Sequence, residues 1–148
     1  MTTKREKAIQ LFCQGYNCSQ AVFGAFCEDF GLDLETALKL SSSFGGGMGR
    51  LREVCGAVSA MFMIAGLAGG YSNPDATDEK SEHYKRIQSL AEEFKKKNKT
   101  IICRDLLKNV KTLEGMLPEA RTEEYYKVRP CARFVGDAAE IIEEYLKR

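Results

Sequence analysis

The chain has 148 residues, 44% hydrophobic and 29% charged, with a formal net charge of +1. That is enough for one helical domain, residues 1–148, with its own core, and so small a charge gives no footing for nucleic acid or an anionic membrane. The N-terminal stretch MTTKREKAIQLF has no apolar signal segment. The chain is therefore expected in a reducing cytoplasm, where six cysteines point to redox work or metal binding rather than to structural disulfides.

Taken in order, the apolar spacing is helical nearly throughout. Ala8, Ile9, Phe12, Cys13 and Tyr16 mark a first helix over Thr3–Tyr16. Asn17 caps a second, from about Cys18 to Phe30, stopped by Gly31, and Asp33 caps a third to about Ser43. Gly45-Gly46-Gly47 make a corner before a central apolar helix, about Leu51 to Ala68. Val54 to Gly70 carries no charge, but its Gly, Ala and Ser content suits a buried helix against which others pack closely, and no membrane span is expected. Gly69-Gly70 and Asn73-Pro74 form a loop. A charged helix follows from Asp75 or Thr77 to about Lys97, with a one-sided stripe of Tyr84, Ile87, Leu90, Ala91 and Phe94. The lysines at its end, Lys95-Lys96-Lys97 and Lys99, complement the helix dipole. Thr100 caps a short helix from Cys103 to Asn109, and an irregular stretch with Gly115 and Pro118 runs to Val128. Pro130 opens the last helix, whose face carries Phe134, Val135, Ala138, Ile141, Ile142 and Tyr145. No strand pattern of useful length occurs. The expectation is an all-α bundle of five or six helices around a central apolar helix.

Four cysteines, Cys18, Cys55, Cys103 and Cys131, fall at or near predicted helix N-termini, where the peptide dipoles favour a thiolate. Arginines adjoin three of them: Arg50 and Arg52 before Cys55, Arg104 after Cys103, Arg129 and Arg133 around Cys131. Cys55 is the expected thiolate. Cys13 and Cys27, each among aromatic residues, read as small core side chains. There is no CxxC and no CxxCH, so a thioredoxin-like motif, a zinc ribbon and c-type haem are unsupported. Any site made by the four thiols must be assembled by folding. A pair could cycle between dithiol and disulfide, or several thiolates could ligate zinc or an iron–sulfur cluster. In a third reading, the four merely pack. The segment Phe44-Gly45-Gly46-Gly47-Met48-Gly49-Arg50 lacks the phosphate-loop pattern; its glycines are expected to give a tight corner and close packing beside a thiol rather than a backbone cradle for a small anion, with Arg50 in solvent or, as the alternative, the anion partner of the site. His83, the only histidine, is expected on the surface, which leaves no Cys–His nucleophile pair.

Asn17-Cys18-Ser19-Gln20, Gly45 to Arg50, Cys55-Gly56-Ala57, Cys103-Arg104-Asp105-Leu106-Leu107 and Arg129-Pro130-Cys131-Ala132-Arg133-Phe134-Val135 occur in that order. The set resembles the redox-active protein family named for its C…CGAxxG…C…C cysteine pattern, over about Cys18 to Tyr145. The resemblance implies that Cys18, Cys55, Cys103 and Cys131 are the hallmark cysteines of a small helical redox protein. It brings no settled substrate, cofactor or redox partner. At the closing glycine of CGAxxG this chain has Ala60. A homodimer would cover what so short a chain leaves exposed of its central helix.

Overall fold

A computed structural model describes residues 2–110, 115 and 118–148. Its regular elements are helices: α1 (Lys4–Cys13), α2 (Cys18–Phe26), α3 (Leu34–Ser41), α4 (Gly56–Gly69), α5 (Thr77–Asn98), α6 (Cys103–Leu106), α7 (Glu123–Val128) and α8 (Cys131–Leu146). Six of these have eight residues or more, and the other two are single short turns. All-α architecture is thus the outcome the periodicity predicts.

Local chemistry explains the helix starts. The side chains of Thr3, Asn17, Asp33 and Thr122 each accept a hydrogen bond from a backbone N–H three residues on, which satisfies donors that a helix leaves orphaned. Asn17 and Gln20 do this reciprocally. Gly31, at φ 81°, turns the chain out of the short 3-10 turn after α2.

The core lies between α2, α4 and α8. α2 and α4 pack against each other, α8 closes over both, and α1 lies along α8 and α2. Phe23, Phe26, Val58, Met61, Ile64, Val135 and Ile142 are fully buried there, each a contribution of about 1.5–3 kcal/mol. A buried polar link ties three helices: Asp137 of α8 accepts from Arg5 of α1 at 2.8 Å and from Asn98 of α5 at 3.2 Å. No helix among the described residues is long and apolar enough to cross a membrane.

Several expectations are corrected. α4 begins at Gly56 rather than at Leu51. Gly46 through Arg50 all have positive φ, as does Arg52, and a right-handed helix cannot run through them. The segment that follows pairs with a distant one instead. Val54 and Ile102 form an antiparallel bridge, in which Cys55 N donates to Ile101 O at 2.8 Å and Cys103 N to Glu53 O at 2.6 Å. α6 is only four residues long and does not reach Asn109. α7 stands inside the stretch read as irregular; residues 111–114 and 116–117 of that stretch lie outside the described ones. Cys13 is exposed, because it sits about 100° round α1 from the buried Phe12. His83 is buried, 8% exposed, with its ring edge-on to Tyr71. It extends the Leu90–Phe94 stripe by two turns.

Candidate functional site

One cavity of about 270 Å³ opens where α2, α4 and α8 begin, and Cys18, Cys55, Cys103 and Cys131 all line it. Four thiols that are remote in sequence therefore share one space. The means is visible in the chain. Cys18 is the first residue of α2, Cys55 the N-cap of α4, Cys103 the first residue of α6 and Cys131 the first residue of α8. The Val54–Ile102 bridge sets the Cys55 and Cys103 segments side by side.

The glycines let backbone come close to sulfur. A Cβ on Gly56 would lie 2.6 Å from Cys18 Sγ and 2.7 Å from Phe44 O. A Cβ on Gly47, already at φ 73°, would lie 2.6 Å from Cys103 Cβ. Asn17 Nδ2 donates to Ser42 O at 3.1 Å, fastening the start of α2 to the segment that leads into the glycine loop. Ala60, at the position of the motif's closing glycine, is fully buried in α4. Its methyl is thus accommodated within the core and does not reach the cavity lining.

Charge is distributed unevenly over the thiols. Cys18 is held down to about 6, chiefly by a hydrogen bond with the Cys55 thiol, then by the backbone N–H groups of Gly46, Ser19 and Gly56. Cys55 is pushed well above its ordinary range, first by that same hydrogen bond and then by burial. Two adjacent buried sulfurs do not both ionise cheaply, so one carries the charge and the other keeps the proton. Within this pair the backbone N–H groups gathered on Cys18 favour it for the charge, whereas the flanking arginines in the sequence argue for Cys55. Those arginines point elsewhere: Arg52 Nη1 donates to Cys103 Sγ at 3.7 Å, and Arg50 turns to Glu119. Burial raises Cys103 despite Arg52, and raises Cys131 to about 12 despite Arg129. With only four residues, α6 has little dipole to offer Cys103. Arg104 and Arg133 are exposed and do not line the cavity.

Glu119 was not singled out by sequence reasoning, and it is the acidic centre of the site. Its Oε1 lies 3.5 Å from Arg50 Nη2 and 3.9 Å from Arg52 Nη2, and its Oε2 accepts from Arg129 Nη2. The Arg50 side chain is 12% exposed, so it belongs to the cavity and not to solvent. Arg121 was missed too. It donates to Phe12 O at 3.0 Å and Tyr16 O at 2.9 Å while stacking 4.3 Å over the Phe12 ring. No local motif announces either residue, since their partners lie up to 109 positions away.

All six cysteines are free thiols. Among the described residues, no group of three His, Cys, Asp or Glu side chains is placed to hold a metal ion. The zinc or iron–sulfur reading of Cys18, Cys55, Cys103 and Cys131 thus has no ready ligand cluster there.

A compact all-helical protein with four thiols on one arginine-rich cavity is the class this geometry defines. Comparison with known families places it further: residues 16–145 match the family described as "Putative redox-active protein (C_GCAxxG_C_C)". The chain belongs to that family, and at the motif it reads Cys55-Gly56-Ala57-Val58-Ser59-Ala60. Searches of curated proteins and of solved structures find no significant match.

Proposed function

We propose that this family member is a cytoplasmic dithiol–disulfide redox protein in which Cys18 attacks and Cys55 resolves. The observation that carries this is geometric: Cys18 and Cys55 stand at the starts of α2 and α4 and line one cavity, with Cys18 Sγ packed against Gly56, the residue next to Cys55; the backbone N–H groups gathered on Cys18 favour it as the attacking sulfur. A thiolate is the nucleophile in disulfide exchange. With a small disulfide as oxidant, Cys18 sulfur bonds to one sulfur of the substrate and the other leaves as a thiolate. Cys55 then gives its proton to that leaving group and attacks Cys18 sulfur, expelling the second substrate thiolate. The substrate gains two electrons, and the protein ends with a Cys18–Cys55 disulfide. Cys103 and Cys131, held protonated by burial, stay as thiols through this step.

The test is to treat reduced protein with bis(2-hydroxyethyl) disulfide and map its peptides without reduction. The expected product joins the Cys18 and Cys55 peptides. Folded protein in which both remain free thiols after treatment defeats the reading.

A further inference from the structure

We propose that the thiol cavity takes a small disulfide bearing a carboxylate, and that Glu119 is a tethered stand-in for that carboxylate which leaves as the ligand enters. The reduction of such a ligand rests on the dithiol reading above; its binding does not.

Both oxygens of the Glu119 carboxylate are used, Oε1 by Arg50 and Arg52 and Oε2 by Arg129. Guanidinium forks recognise a carboxylate in this two-oxygen manner. The three side chains are only 12%, 6% and 5% exposed. Arg50 and Arg52 stand in the left-handed run that the glycines permit. Arg129 stacks 4.9 Å over the Tyr125 ring just before α8. Arg52 keeps Cys103 Sγ and Arg129 keeps the Tyr125 ring as partners apart from Glu119, so part of the receptor for a carboxylate outlasts the residue that fills it.

Glu119 is mounted differently. Residues 118–121 belong to no helix, and Pro118 and Ala120 are exposed on either side of the inward-turned Glu119 side chain. The stretch is anchored two residues on, by Arg121 to the carbonyls of Phe12 and Tyr16. Glu119 can swing out while that anchor holds. The arginines also connect directly to the thiols: Arg52 donates to Cys103 Sγ, and Arg129 hydrogen-bonds Cys131. A ligand whose carboxylate replaced that of Glu119 would therefore lie beside Cys103 and Cys131, in the one cavity that Cys18 and Cys55 also line. A cavity of about 270 Å³ suits a metabolite-sized molecule.

The experiment uses the full chain in two forms. Reduced wild-type protein is reacted with dithiodiglycolate (anionic), bis(2-hydroxyethyl) disulfide (neutral) and cystamine (cationic), each rate being divided by that of the same disulfide with free 2-mercaptoethanol. The expected order is anionic, neutral, cationic, with a spread of roughly tenfold or more between the ends. Where the disulfides are reduced, a flat or reversed order overturns the proposal. Binding is then read by calorimetry on Cys18→Ser protein, which cannot attack. Dithiodiglycolate should bind saturably, about tenfold tighter when Glu119→Gln is added, because the competitor for the arginines is gone, and more weakly when Arg50→Gln is added. Absence of saturable binding also overturns it. Should Glu119→Gln fail to fold, the charge order and the Arg50→Gln comparison still decide. Anion binding without reduction by the wild type would sink the dithiol reading and leave this one standing; equal normalised reduction of all three disulfides would do the converse.

Discussion

Replacing Cys55 with alanine removes the hydrogen bond that does most to keep a thiolate on Cys18. Cys18 stands at about 6 against an ordinary value of 9.0, a difference equivalent to about 4 kcal/mol in favour of the anion. The backbone N–H groups of Gly46, Ser19 and Gly56 share in that figure, and burial opposes it. Loss of the largest single contribution should raise the apparent pKa of Cys18. Cys55→Ser keeps a donor in place and should hold Cys18 low. The assay is the pH dependence of iodoacetamide alkylation, followed on the Cys18 peptide by mass spectrometry. It needs no substrate and reads one sulfur at a time. Wild-type Cys18 should titrate near 6, Cys55→Ala well above it and Cys55→Ser close to wild type. Wild-type Cys18 titrating near 9, or Cys55→Ala leaving its titration in place, would refute the reasoning.

The same charge assignment sets how stability varies with pH. Cys18 titrates lower folded than unfolded, so its contribution is present above about pH 9 and is lost as pH falls through 6, with a ceiling of about 4 kcal/mol. Cys131, raised to about 12, works in the opposite sense, its contribution being lost as pH climbs from 9 toward 12. Urea midpoints should thus rise from pH 6 to about 9 and fall beyond, and Cys18→Ser should flatten the acid limb; an unchanged acid limb in that variant contradicts the assignment. Gly56→Ala drives a Cβ to within 2.6 Å of Cys18 Sγ and 2.7 Å of a backbone carbonyl. It should cost about 1–3 kcal/mol in urea denaturation and slow Cys18 alkylation at pH 7; wild-type stability would mean that the backbone there gives way freely.

Much of the scaffold could be read locally because its causes are local. Asn17 with Gln20, Asp33 with Thr36, and the one-sided stripe of α8 each act within a few residues. The shared position of Cys18, Cys55, Cys103 and Cys131 at helix starts marked them as candidates, and only the fold brings them to one cavity. What escaped has non-local causes. The late start of α4 reflects a left-handed run after Phe44 and a bridge to Ile102, which no window around Leu51 contains. The groups that favour charge on Cys18, the Cys55 thiol and the N–H groups of Gly46 and Gly56, come to it from elsewhere in the chain. Glu119 was hidden because an exposed-looking acid in an irregular segment becomes central only when Arg50, Arg52 and Arg129 arrive. α7 and His83 were more readable than they were read: Thr122-Glu123-Glu124 is an N-cap followed by first-turn acids, and His83 lies one heptad before Leu90.

The cavity is built from two ends of the chain, and that division has a consequence for how the protein is made. Cys18 and Cys55 come together through α2 and α4, both within the first 69 residues. Cys103, Cys131 and the arginine-bound Glu119 belong to the final third. Because synthesis runs from the N-terminus and folding begins with what has emerged, the segments bearing Cys18 and Cys55 leave the ribosome before those bearing Cys103, Cys131 and Glu119. For that interval no residue of the final third covers the first two thiols.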